Sequence, residues 1–300
     1  MSPGSRVTPL VRHARELGWR AYAIPVLVVI TVWVLIDVFS APTQQDSRDP
    51  GAVNATSESD GRPEPPGRPG PDPADDPAQH LTPDQLPPGG PYAEHGAGTY
   101  RVVGAPGLTV GEGHEQVVRY TVEVEDGVDT SGSGGDDALA AMVDATLANP
   151  KGWINDPAFR FEHVGPEDHP DMRIQLTSVG TTRQICGGED LAMETSCHIR
   201  LGGQSRVVIN ESRWVRGAAP FDGDLGSYRQ YLVNHEVGHG LGFAAHEPCG
   251  GEGELAPIMM QQTLSLNNAE LNSFSPQEVY PDENITCIYN PWPYPRPAVP

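Results

Sequence analysis

Hydrophobic and polar positions divide the chain into three stretches. The first is an apolar run from Ala21 to Phe39, containing Val26-Leu27-Val28-Val29-Ile30 and Val32-Trp33-Val34-Leu35-Ile36. Its length is close to the ~20 residues that cross a bilayer as a helix. In the second stretch, from residue 41 to about 92, apolar positions nearly vanish. In the third they return with period. Thr99-Tyr100-Arg101-Val102-Val103 reads as a strand, and Val117 to Val124 alternates as a second one. Asp136 to Leu147 places Leu139, Met142, Val143 and Leu147 on one face, follows Gly and Ser residues and stops before Asn149-Pro150, which predicts a helix. Phe159 to Val164, Met172 to Leu176 and Arg206 to Asn210 read as further strands, and Tyr228 to Asn234 as the start of a late helix. The folded part begins near Gly98. Strands, one early helix and one late helix predict an α/β (α+β) layer domain of roughly 200 residues, a size that buries a real core.

Composition sharpens the first two stretches. Arg6, Arg12, Arg15 and Arg20 precede the apolar run and no basic residue directly follows it, which places the N-terminus inside and the remainder outside. A cleaved signal peptide is the rival reading, with Val38-Phe39-Ser40 before Ala41 as the cleavage site. The long basic leader and long apolar run favour an uncleaved anchor, and either reading exports the rest. The second stretch is rich in Pro, Asp, Gly and Ser, as in Arg62-Pro63-Glu64-Pro65-Pro66-Gly67. It holds too few apolar groups to offset its ordering entropy and reads as an extended spacer. The expected organisation is therefore a basic cytoplasmic N-terminus at 1–20, a transmembrane helix at 21–40, a disordered linker at 41–92 and a folded domain at 93–300. That is a single-pass plasma-membrane protein with its domain outside, a secreted form being the alternative. With 19 basic against 40 acidic residues, the net charge of -21 excludes nucleic acid as a partner.

All four cysteines, Cys186, Cys197, Cys249 and Cys287, fall in the exported part. An even number there predicts disulfides, with three connectivities open. The sequence-local one pairs Cys186 with Cys197 and Cys249 with Cys287. A cysteine zinc site ranks below it because no C-x-x-C pair is present.

The chemistry concentrates at His235-Glu236-Val237-Gly238-His239, followed by Gly242 and His246. Residues four apart on a helix share a face, so His235 and His239 can hold one metal ion from adjacent turns. Glu236 falls beside that ion, where a general base for water activation stands. Gly242 can take a left-handed conformation, end the helix and turn the chain back. The third ligand then follows the turn, with His246 the first candidate and Glu247 the substitute. Three imidazoles and an open position suit Zn2+. His114, His163, His169 and His198 read as surface or loop residues.

These landmarks resemble a metzincin-type, Met-turn zinc metallopeptidase. More narrowly, the chain is similar to an uncharacterised actinobacterial family of exported proteins with this domain. The resemblance rests on Asn149-Pro150-Lys151-Gly152-Trp153, Asn210-Glu211-Ser212-Arg213-Trp214, Tyr228 through His239, Ala256 through Thr263, and Asn290-Pro291-Trp292-Pro293. It implies a twisted mixed sheet, an active-site helix and a Met-turn. It assigns His235 and His239 as ligands, Glu236 as catalytic base and Met259 as apolar support beneath the metal. Two features depart from the pattern. His246 lies four residues after Gly242 rather than three, and Gln261 occupies the place of a Tyr that helps stabilise the oxyanion. A Gln amide there is a candidate oxyanion donor. The segment from Ser265 to Thr286 is longer than the pattern needs and reads as a surface insertion near the site.

The expected function is peptide-bond hydrolysis on a peptide or protein substrate. Glu236 takes a proton from zinc-activated water and returns it to the leaving nitrogen. The alternative is a non-catalytic, zinc-containing binding module of the cell envelope.

Overall fold

The computed structural model describes residues 31, 81–82, 85–187 and 195–299. The expected N-terminus at 1–20, the span at 21–40 (Thr31 apart) and most of the linker at 41–92 lie outside the described residues. Among the described residues no helix is long and apolar enough to cross a membrane. The chain divides into two units, Met1–Gly67 and Arg68–Pro300, and every element below belongs to the second.

Among the described residues, one seven-stranded sheet organises this unit. Its strands are β1 (Tyr100–Val103), β2 (Thr109–Gly111), β3 (Gln116–Glu125), β4 (Phe159–His163), β5 (Met172–Thr177), β6 (Cys197–Leu201) and β7 (Gln204–Asn210). They lie in the order β2-β4-β3-β5-β7-β6, with β1 also paired to β3. The central four, β4, β3, β5 and β7, are parallel; β1, β2 and β6 join antiparallel. The helices are α1 (Asp136–Leu147), α2 (Val179–Cys186), α3 (Glu211–Arg216), α4 (Leu225–Leu241) and α5 (Asn268–Phe274). The fold is thus mixed α/β with a mixed sheet. The early helix and the five expected strands are present. The short β2, the edge strand β6 and the helices α2, α3 and α5 were not foreseen.

Parallel strands require crossovers, and α1 supplies the one between β3 and β4. Along β3, side chains alternate between the two faces of the sheet. Val118, Tyr120, Val122 and Val124 join Ile174, Leu176, Val207 and Ile209 in one core with Leu139, Val143 and Leu147 of α1 and Leu232, Val233 and Val237 of α4. The opposite face of β3 buries Glu123 and Glu125. Buried carboxylates persist only with partners. Glu123 accepts from Arg173 Nη1 at 2.9 Å and Gln175 Nε2 at 2.7 Å, and Glu125 accepts from the Ser178 and Gly98 amides at 2.8 Å each. The packed chain starts upstream of Gly98: the Val179 amide donates to the Ala93 carbonyl, and the Arg216 guanidinium covers the Tyr92 ring at 4.8 Å.

Two features of this fold prepare the site. Helix α4 is capped by Asp224, whose side chain accepts from the Ser227 amide, and is buried nearly all round, so it runs through the core rather than along it. Beyond α4, Ala256, Met260, Leu271 and Tyr280 form a second, smaller core around Cys249 and Cys287. Cys249 bonds to Cys287 and Cys186 to Cys197, the sequence-local pairing.

Candidate metal centre

His235 and His239 stand one turn apart on α4, their ring centroids 4.8 Å from each other. The helix ends at Gly242, which has φ 116°, a backbone conformation a side chain resists. The Phe243 amide then donates to the Gly238 carbonyl at 3.1 Å, closing the turn. From this turn the chain brings His246 back to the helix. Its ring centroid lies 5.5 Å from that of His235 and 5.3 Å from that of His239. One potential ligand atom from each of the three imidazoles falls within 4.8 Å of the others. The extra residue between Gly242 and His246 is absorbed in the loop.

Each ring is oriented from behind. His235 Nδ1–H donates to the Ile258 carbonyl at 2.9 Å, His239 Nδ1–H to the Phe243 carbonyl at 2.8 Å, and His246 Nδ1–H to the Glu278 carboxylate at 2.5 Å. The acceptors are two carbonyls and a carboxylate, so the hydrogen sits on Nδ1 in each ring. All three Nε2 lone pairs are left free for a metal. His235 Nε2 is buried and has no hydrogen-bond partner. A buried polar atom without a partner is costly, and a cation at the shared focus satisfies it. Burial first, and the neighbouring imidazoles second, push the His235 pKa well below the ordinary histidine value; the same causes bring His239 to about 4. Both rings are therefore neutral at pH 7, the form that ligates. A set of three oriented imidazoles fits Zn2+ with an open position.

Glu236, 3% exposed, lines the same cleft of about 380 Å3 as the three histidines. Burial raises its carboxyl to about 8. Beneath the helix, the turn Pro257–Met260 closes with the Met260 amide donating to the Pro257 carbonyl at 3.0 Å, and Met259 is fully buried. A Cβ at Gly238 would stand 2.7 Å from Met259 Sδ and 2.7 Å from Trp153 Cζ2, so glycine at this position lets both pack onto the helix. Helix side chains fasten the turn and the C-terminal segment to α4. Tyr231 Oη donates to the Met260 carbonyl and Asn234 Nδ2 to the Pro291 carbonyl, at 2.9 and 2.8 Å. Gln261 lines the cleft, while its backbone N–H donates to Tyr280 Oη at 2.9 Å.

Two of the other histidines differ from expectation, while His114 and His169 are exposed as expected and Glu247 is not needed as a substitute ligand. His198 is on β6 and lines the cleft, its Nε2 2.8 Å from Ser205 Oγ. His163 is buried against Asp144 and stacks on Tyr120 at a centroid distance of 4.9 Å. Glu247 points elsewhere, its Oε1 accepting from the Val299 amide at 3.0 Å. Glu278 and Tyr280, whose ring stacks on His246 at 6.2 Å, had no separate signal in the sequence. Both come from the segment read as a surface insertion near the site, and they bring it into contact with His246.

A family model described as a protein of unknown function, DUF3152, matches residues 86–295. The chain belongs to the DUF3152 family. No curated protein and no solved structure matches it. The match spans the whole sheet, α4 and the second core, so the three histidines and Glu278 all lie inside the DUF3152 domain.

Proposed function

We propose that this DUF3152 domain is a zinc-dependent peptidase of the metzincin kind, held outside the plasma membrane by residues 21–40. The observation that carries the reading is the convergence of His235, His239 and His246 with Glu236 in the same cleft. His235, His239 and His246 would hold zinc through their imidazole nitrogens, and the ion would supply Lewis acidity to polarise a carbonyl and acidify water. Glu236 takes the proton of the attacking water at its carboxylate and passes it to the departing amine. Its place in the cleft with the three histidines lets one carboxyl serve both halves of that transfer. Met259 is buried packing for the ligand helix. Gln261, which lines the cleft, is the candidate oxyanion donor.

A peptide is the substrate class best supported. Edge strand β6 pairs with β7 on one side and, among the described residues, with no strand on the other. Cys197 and His198 of that strand line the cleft, so an extended chain can add to its free edge beside the metal site. Two disulfides fit an oxidising exterior. The test is peptide-library cleavage by the zinc-loaded full chain and by Glu236→Gln. Cleavage by the parent and its loss in the variant, with zinc retained in both, supports the reading. Zinc bound tightly with no cleavage by the parent supports the envelope binding module instead.

A further inference from the structure

The third histidine is the ligand that spacing alone leaves least determined, and the structure gives it a support of a different kind from the other two. His235 and His239 are fixed by the helix, and each donates Nδ1–H to a backbone carbonyl, that of Ile258 and that of Phe243. His246 sits in a loop, four residues past the helix-ending glycine. Its Nδ1–H goes to a side chain 32 residues away, the carboxylate of Glu278, and the Tyr280 ring stacks on its outer face.

Glu278 reaches this position because the segment that carries it is tied down at several points. Cys249 and Cys287 are disulfide-bonded. Leu271 of α5 and Tyr280 bury themselves in the second core, and Asn272 Nδ2 donates to the Tyr280 carbonyl at 2.7 Å. Tyr280 Oη accepts the Gln261 amide directly after the Met-turn. The Glu278 amide donates to the Ser275 carbonyl at 3.0 Å, continuing the chain from the end of α5.

We propose that Glu278 is the positioning residue for the third metal ligand. Its carboxylate holds the His246 ring by Nδ1, so that Nε2 faces the focus shared with His235 and His239. The disulfide-bounded segment 249–287 thus acts as part of the metal site. This inference rests on the zinc reading of the triad. A charge-assisted hydrogen bond to a ligating imidazole fixes its tautomer and strengthens its donation to the metal, and losing such a partner typically costs 10–100-fold in metal affinity. The Glu278 side chain is 40% exposed, so water can replace it as acceptor. The expected loss therefore lies at the lower end, about tenfold.

The experiment measures Zn2+ affinity by chelator competition, and the visible spectrum of the Co2+ form, for the oxidised full chain. The variants are Glu278→Ala, Glu278→Gln, His246→Ala and, as a control for net charge, Asp282→Ala. Glu278→Ala is expected to bind Zn2+ about tenfold more weakly with an altered Co2+ spectrum. Glu278→Gln, which keeps an acceptor without charge, should fall between Ala and the parent, and Asp282→Ala should match the parent. Parental affinity and spectrum in both Glu278 variants overturn the proposal, as does an equal loss in Asp282→Ala. If Glu278→Ala fails to fold, the Gln variant decides alone, and a match to the parent overturns the proposal. A parent that binds no stoichiometric zinc, or that His246→Ala does not weaken, defeats the zinc reading itself, a separate result.

Discussion

Gly238→Ala sets two opposing effects against each other at the base of the ligand helix. Replacing an exposed helical glycine by alanine stabilises by ~1 kcal/mol through propensity. Here the added methyl would stand 2.7 Å from both Met259 Sδ and Trp153 Cζ2, about 1 Å inside the 3.5–4.0 Å of ordinary contact. Met259 can yield at its flexible end, but Trp153 has little freedom. It is 2% exposed, its Nε1–H donates to the Asn234 carbonyl at 3.0 Å, and it stacks on Phe243 at 4.9 Å. Overpacking a dense core costs ~1–3 kcal/mol, so the packing effect wins by roughly 1 kcal/mol. For a domain of this size that lowers Tm by about 3 °C. The disturbance also reaches the metal. Phe243 supplies the carbonyl that orients His239, and moving it should weaken zinc by about tenfold. Thermal unfolding of the metal-free chain and chelator competition test the two parts. A Tm raised by about 3 °C with zinc affinity unchanged would refute the packing argument, because propensity would then be acting alone.

Glu236→Gln should retain zinc and lose turnover by ~10²–10⁴-fold in a steady-state peptide assay, the usual worth of a general acid–base; turnover within a factor of three of the parent would exclude Glu236 as the base. Breaking Cys249–Cys287 with a double serine variant removes a closure across 38 residues. By loop entropy this costs ~4 kcal/mol, to be read as a lower denaturant midpoint. Asp136 accepts from Arg101 and then from Thr130, which hold its carboxyl below the ordinary range. Its stabilising contribution is therefore present above the unfolded carboxylate pKa of ~3.9 and is lost as pH falls through the depressed value. In urea titrations the gap between the parent and Asp136→Asn should be constant above about pH 5 and close below it. A gap that widens on acidification would reverse the assignment.

How far the sequence revealed this molecule depends on how local each cause is. The helix ligands, their intervening base and the glycine turn follow from spacing alone, because a helix converts sequence distance into direction. The parallel strands announced themselves through buried apolar runs. Edge strand β6 went unread although Cys197-His198-Ile199-Arg200-Leu201 alternates apolar and polar residues, since the run is short and only partly buried. Helix α2 was hidden by Gly180, Thr181 and Thr182, poor helix formers, of which Gly180 donates its amide to the Glu94 carbonyl. Counting residues after Gly242 made His246 look displaced. The path of that loop is set by the Trp153–Phe243 stack and by Glu278, neither close to it in sequence. The value of the 265–286 segment was illegible for the same reason: its contacts with His246 are long-range and carry no periodic trace.

X-ray absorption at the zinc edge of the stoichiometrically loaded full chain tests the central claim most directly. The account predicts one zinc with three imidazole nitrogens at about 2.0–2.1 Å and a fourth light-atom ligand, and the loss of one imidazole in His246→Ala. Two imidazoles in the parent, a sulfur ligand, or an unchanged spectrum on removing His246 would contradict it.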